Sequence, residues 1–262
     1  MGVVGGWLIV PLVLTILVVG HGLIVERLCG MPLPGPLVPA VGLATLIVVT
    51  GLLTIATVTA PLASPVAAGV SVLGLVWGCP WRRLLRRGAL ITAAVAAAAF
   101  VLFAAPSLLT GQASITGYLK LDDTATWLAL TEHVVDHGRN LDGLAPTSYR
   151  RTLESWLGGG YPVGAFLPLG VASRLARQDP AGAYQPVMAV YAAILALGLA
   201  GCFASLTRTR LRAAVLAIVA VQASTFYGYV HWVGIKEAAS ASLLPPLAFL
   251  AARSWRPAGP GA

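Results

Sequence analysis

Two adjacent aspartates, Asp122-Asp123, are the first residues in this chain whose type and spacing suggest chemistry. Paired carboxylates can take a proton from a hydroxyl, and Lys120 just before them can balance charge. An aspartate at that place also makes a good helix N-cap, and a second acid is favoured there by the helix dipole. Ten residues on, His133 and His137 stand four apart, on one face of a helix, with Asp136 beside them. That spacing can hold a metal, but no third ligand is in register, and a wet helix face explains the pair equally well. The other candidates are Lys236-Glu237, as a snorkelling pair or as a phosphate-contacting lysine beside an acid, and Glu154 with Arg150 and Arg151, which suits a solvated face. Gly158-Gly159-Gly160 lacks the strand–loop–helix setting and the Lys-Ser/Thr of a phosphate loop. Hydrolase motifs are absent, as are Cys/His metal spacings.

Such residues need elements to position them, and those elements belong to a bilayer. Of 262 residues, 58% are hydrophobic and only 10% are charged, against about 25% charged in a soluble domain. The apolar residues fall in runs long enough to cross about 30 Å of hydrocarbon as helices. The predicted spans are Val3–Val25, Leu37–Thr59, Val66–Trp77, Ala89–Leu109, Ala183–Leu206, Ala213–Val230 and Ala238–Ala252. The fold class is therefore all-α, a polytopic transmembrane bundle of about seven spans. Glu26-Arg27 after the first run, in place of a small-residue cleavage site, argues against a secretory signal peptide.

The net charge of +8 is an orientation signal. With Arg27, Arg82–Arg87, Arg208–Arg212 and Arg253/Arg256 held in the cytoplasm, that side has ten basic residues against one acid. The other side has seven against eight, so no nucleic-acid partner is expected. Parity then puts the polar loop 110–160 on the extracytoplasmic face of the cell membrane. On that parity Tyr161–Ala176 starts and finishes there as an interfacial or re-entrant segment, being short and broken by Pro162, Gly164, Pro168 and Gly170; the alternative sends it across and puts Arg174 and Arg177 inside. Within the loop, Trp127, Leu128, Leu130, Val134 and Val135 recur at helical spacing, and Gly138 makes a natural stop. This predicts an amphipathic helix over 124–137 lying along the membrane surface. Cys29, Cys79 and Cys202 all fall at cytoplasmic positions, so no disulfide framework is expected. The organisation reads as a three-helix segment 1–88, a segment 89–252 carrying the loop, and a disordered tail 253–262.

A helix leading out to a loop with Asp122-Asp123, an amphipathic helix, Tyr161-Pro162-Val163-Gly164 opening a short apolar stretch, and Gln178-Asp179-Pro180 before the next span together resemble the GT-C superfamily of membrane glycosyltransferases. The protein mannosyltransferase and aminoarabinose transferase branches are the most similar, over about residues 89–250. The resemblance implies catalytic roles for Asp122 and Asp123. It implies a sugar donor on polyprenyl phosphate, contacted by Lys120, Lys236, Glu237, His133 and His137. No organic cofactor is implied, and a divalent metal is the one cofactor left open. This chain differs in placing the acidic loop after its fourth span rather than its first, and in being shorter, as a truncated member would be. The alternatives are a non-catalytic membrane subunit or scaffold and, third, a transporter. The spans carry almost no ionisable residue except His21, which argues against transport.

Overall fold

The computed structural model describes residues 5–78, 87–111 and 121–254. Cys79, most of the Trp81–Arg87 cluster, Lys120 and nearly all of the 253–262 tail lie outside them. Eleven α-helices and no strand occur among the described residues. They are α1 (Val10–Cys29), α2 (Val38–Leu53), α3 (Ala63–Gly78), α4 (Arg87–Leu109), α5 (Leu121–His137), α6 (Ser148–Leu157), α7 (Leu167–Ala176), α8 (Pro180–Phe203), α9 (Arg210–Val221), α10 (Ser224–His231) and α11 (Ile235–Ser254). Their ends follow local chemistry. Gly30 closes α1 in the left-handed region, φ 63°. The Asp179 side chain accepts from the Ala181 amide at 2.8 Å to start α8, with Pro180 as its first residue.

Each of the seven predicted spans lands on α1, α2, α3, α4, α8, the pair α9–α10, or α11. Five helical segments are long and apolar enough to cross a membrane: Gly5–Cys29, Gly35–Leu53, Ala60–Gly78, Gly88–Leu109 and Pro180–Phe203. The protein is a membrane protein on that ground. A sixth is α9 with α10, bent by 61° at Gln222-Ala223. The last, α11, has 20 residues but carries Lys236, Glu237 and the pair Pro245-Pro246, which make it less apolar than the rest.

The core is contiguous from Trp7 to Ala239, so the segments 1–88 and 89–252 share it. Its centre is α8, buried almost throughout and packed against α4, α9, α11 and α1. Two helices that abut in lipid gain little from apolar burial, so close backbone approach matters more. Glycines supply it where α1 meets α2 and α3. A Cβ on Gly42 would lie 1.6 Å from the Val18 carbonyl oxygen, and one on Gly74 would lie 1.9 Å from that of Gly20. The Ser71 hydroxyl donates across the same contact to the Leu17 carbonyl at 3.1 Å, and His21 Nδ1 donates to that carbonyl at 2.9 Å.

Contacts sort the connections into two ends. At one end Gly5 meets Gln178, Gly138 meets Thr54 and Ala56, and Tyr184 meets Val233. At the other end Gly201 meets Pro36 and Leu37, Gly78 meets Leu23, and Gly88 meets Arg210. This grouping agrees with the expected alternation.

The first end is capped by α5 and α7. The α5 helix runs from the neighbourhood of α8 and α11 to the α2–α3 connection, and so lies across the bundle. Beneath it α7 runs alongside: Phe166 stacks on Trp127, Gly170 admits Thr131 and Val135, and Arg174 pairs with Asp136. Residues 161–166 dip first, Gly164 meeting Ile47 of α2 and the Ala165 carbonyl accepting from the Tyr191 hydroxyl, about three turns into α8. With ten residues, α7 is about 15 Å long and cannot cross. It starts and finishes at one end, as the re-entrant reading expects.

Candidate functional site

Helix α5 begins at Leu121, so Asp122 and Asp123 are its second and third residues. They fall inside the first turn, not at the cap where the sequence placed them, and favour the dipole there. Asp123 is half-buried; the Asp122 side chain lies outside the described residues, as does Lys120. Trp127, one turn on, shares the Asp123 face of the helix.

Trp127 is buried in an aromatic cluster built from three elements. Its ring stacks on Tyr161 at 5.6 Å and on Phe166 at 5.1 Å, and meets Trp156 of α6 edge-on at 5.0 Å. Into this cluster comes Lys236 from the start of α11. Its ammonium lies 4.7 Å from the centre of the Trp127 ring and 5.1 Å from that of Tyr161, and donates to the Tyr161 hydroxyl. An ammonium has three donors, so two remain for another acceptor.

The connection that delivers Lys236 is strained. Val233 has φ 67°, a conformation that β-branched residues avoid. It is held by the Tyr184 hydroxyl, which donates to the Val233 carbonyl at 3.1 Å, while Gln185 Nε2 donates to the Val230 carbonyl at 3.3 Å. Strain kept in place by neighbouring hydrogen bonds is a feature of functional sites. Tyr184 also lies in the field of both Glu237 and Asp123. Thus Asp123 and the adjacent pair Lys236-Glu237, from distant parts of the sequence, come to the same end of the bundle, with Lys236 against Trp127 and Tyr161 and Asp123 on the Trp127 face of α5.

His133 and His137 do not join this group. Asp123 and His133 are ten residues apart, about 15 Å along α5. The His133 and His137 rings lie 5.2 Å apart, and His133 Nε2 donates to the Asn140 carbonyl at 2.7 Å. Burial holds the His133 imidazole below its ordinary pKa, against the upward pull of its bond to the Asn140 carbonyl, and neighbouring His137 pushes it down further. Burial first, and then Asp179, pushes the Glu132 carboxyl upward. Among the described residues no three His, Cys, Asp or Glu side chains come together in a metal-holding group. Glu154 pairs with Arg150 on the exposed side of α6 at 2.7 Å, a solvated face as expected.

The aromatic cluster, Tyr184 and the Val233 turn were not picked out from sequence. Tyr161-Pro162 stands out in the sequence only as part of a longer pattern, and a lone valine gives no sign of its φ. In chemical terms the site offers a carboxylate at the start of a helix and an ammonium with donors to spare, beside aromatic faces. No family model, no curated protein and no solved structure matches the chain.

Proposed function

We propose that the protein is a membrane glycosyltransferase that moves a sugar from polyprenyl phosphate to an acceptor hydroxyl on the extracytoplasmic face. The observation that carries this reading is the gathering of Asp123, Lys236 and Glu237 at one end of the bundle. Arg208, Arg210 and Arg212 sit at the other end, which the positive-inside rule assigns to the cytoplasm. Asp123, with Asp122, takes the acceptor's proton as its oxygen attacks the anomeric carbon. The carbon–phosphate oxygen bond breaks with inversion, its electrons leaving on polyprenyl phosphate. Lys236 meets the charge that develops on that phosphate, with Lys120 as a second cation.

The test is release of polyprenyl phosphate from a set of polyprenyl-phosphate hexoses and pentoses by the purified chain in liposomes. Asp122→Asn with Asp123→Asn should lower release at least about a hundredfold while helicity and thermal unfolding stay unchanged. If the wild type cleaves no donor, or the double variant remains fully active, the reading fails. In that case the Lys236 contacts favour the second reading, a non-catalytic subunit in which the lysine clamps α11 to the loop.

A further inference from the structure

At the end of α5 remote from Asp123 lies a half-open cleft of about 240 Å³. One wall is His133, His137, Asn140 and Asp142, backed by Leu144; the other is Thr57 of the α2–α3 connection. The walls are set close by Gly138. It has φ 64°, and a Cβ there would lie 2.9 Å from the Thr54 carbonyl oxygen. The lining is preorganised. Asn140 Oδ1 accepts from the Asp142 amide at 2.9 Å, which turns the two amide N–H donors of Asn140 away from that bond. His133 is fixed by its bond to the Asn140 carbonyl.

The chemistry of the lining selects its ligand. Neither lysine nor arginine lines the cavity, which disfavours phosphates and carboxylates. No three metal-binding side chains are grouped among the described residues. What remains is one carboxylate, two imidazoles, an amide and a hydroxyl, a mixture of donors and acceptors that matches groups able to do both. Neighbouring hydroxyls on a sugar ring are such groups. The volume lies below the roughly 300 Å³ at which pockets for drug-sized ligands begin, so it suits a single ring.

We infer that this cavity is a binding site for a neutral carbohydrate of monosaccharide size, separate from the Asp123–Lys236 cluster. Binding there involves no bond making. It stands or falls apart from sugar transfer, because Asp123 takes no part in it.

The chain has four histidines, so ¹³C-histidine labelling of the full protein in detergent gives four ring signals to follow. Mannose, glucose, galactose and arabinose are titrated in turn, with inorganic phosphate as the contrasting probe. At least one sugar should shift the His133 and His137 signals to saturation, with a dissociation constant in the millimolar range. Asp142→Asn and Thr57→Ala replace exposed side chains and should weaken that binding, the first by about tenfold. Asp123→Asn should leave it unchanged, whatever that substitution does to transfer. Failure of every sugar to saturate overturns the assignment. So does an equal response to phosphate, survival of binding in both cavity variants, or its loss in Asp123→Asn.

Discussion

Replacing Lys236 with methionine removes the ammonium and keeps most of the length and bulk of the stem. The charge lies within about 6 Å of two ring centres, and each such contact contributes at least about 0.5–1 kcal/mol, the range for solvated sites. Its hydrogen bond to the Tyr161 hydroxyl adds about 1.5 kcal/mol for a charged donor. Lys236→Met should therefore destabilise the folded protein by about 2.5–3.5 kcal/mol. The informative quantity is the coupling to Trp127, because Trp127→Leu alone also loses the stacks on Tyr161 and Phe166. Unfolding of the two single variants and the double variant by SDS in mixed micelles, followed by circular dichroism, closes the cycle. A coupling of about 0.5–1 kcal/mol is expected. Additivity to within about 0.3 kcal/mol would refute the claim that the lysine binds the aromatic cluster, and with it the geometry from which the anion-binding role is argued.

Gly42→Ala and Gly74→Ala should each cost about 1–3 kcal/mol or more in the same unfolding assay, since the added methyls meet backbone that cannot turn aside. Gly69→Ala, with open space around it, serves as the control and should be nearly neutral. His133 is held below its ordinary pKa, so the unfolded chain binds more protons near pH 6 and its stabilising contribution is lost as pH falls below about 6.5. His133→Gln should flatten that acid-side decline in a thermal-unfolding series; an unchanged slope counts against the buried neutral ring. Glu132, shifted upward, acts in the opposite sense, so Glu132→Gln should raise stability above the ordinary carboxylate range. With the three native cysteines replaced, Asp142→Cys should react with an impermeant maleimide on intact cells, whereas Arg208→Cys should react only after permeabilisation. The reverse pattern inverts the orientation and removes the extracytoplasmic site.

What could be read from sequence was whatever has a period or a length. Run length exposed the spans, helical spacing exposed α5, and Gly138 marked its end. Counting crossings, with the breaks at Pro162, Gly164, Pro168 and Gly170, gave the returning path of 161–176. The bend between α9 and α10 was hidden because Gln222-Ala223 contains neither proline nor glycine. Only the polar run continuing into Ser224-Thr225 offers a local cause, since such side chains compete for the helix backbone. The site was half legible. Acids and lysines stand out in an apolar chain, so Asp123, Lys236 and Glu237 could be named. That they converge, while His133 and His137 stay apart, depends on how α5 crosses the bundle, and no local pattern encodes that.

The short helix α7 has a consequence for biogenesis. Seven consecutive residues, Leu167–Ser173, are buried, with α5 above and α1, α2, α3 and α8 below. A segment too short to cross has no stable place in lipid by itself, and its walls come from both sides of it in the chain. During synthesis it must wait at the membrane surface until α8 has inserted. Truncation before Phe203 should accordingly leave 161–176 open to proteases, because the last wall of its berth has not yet been made.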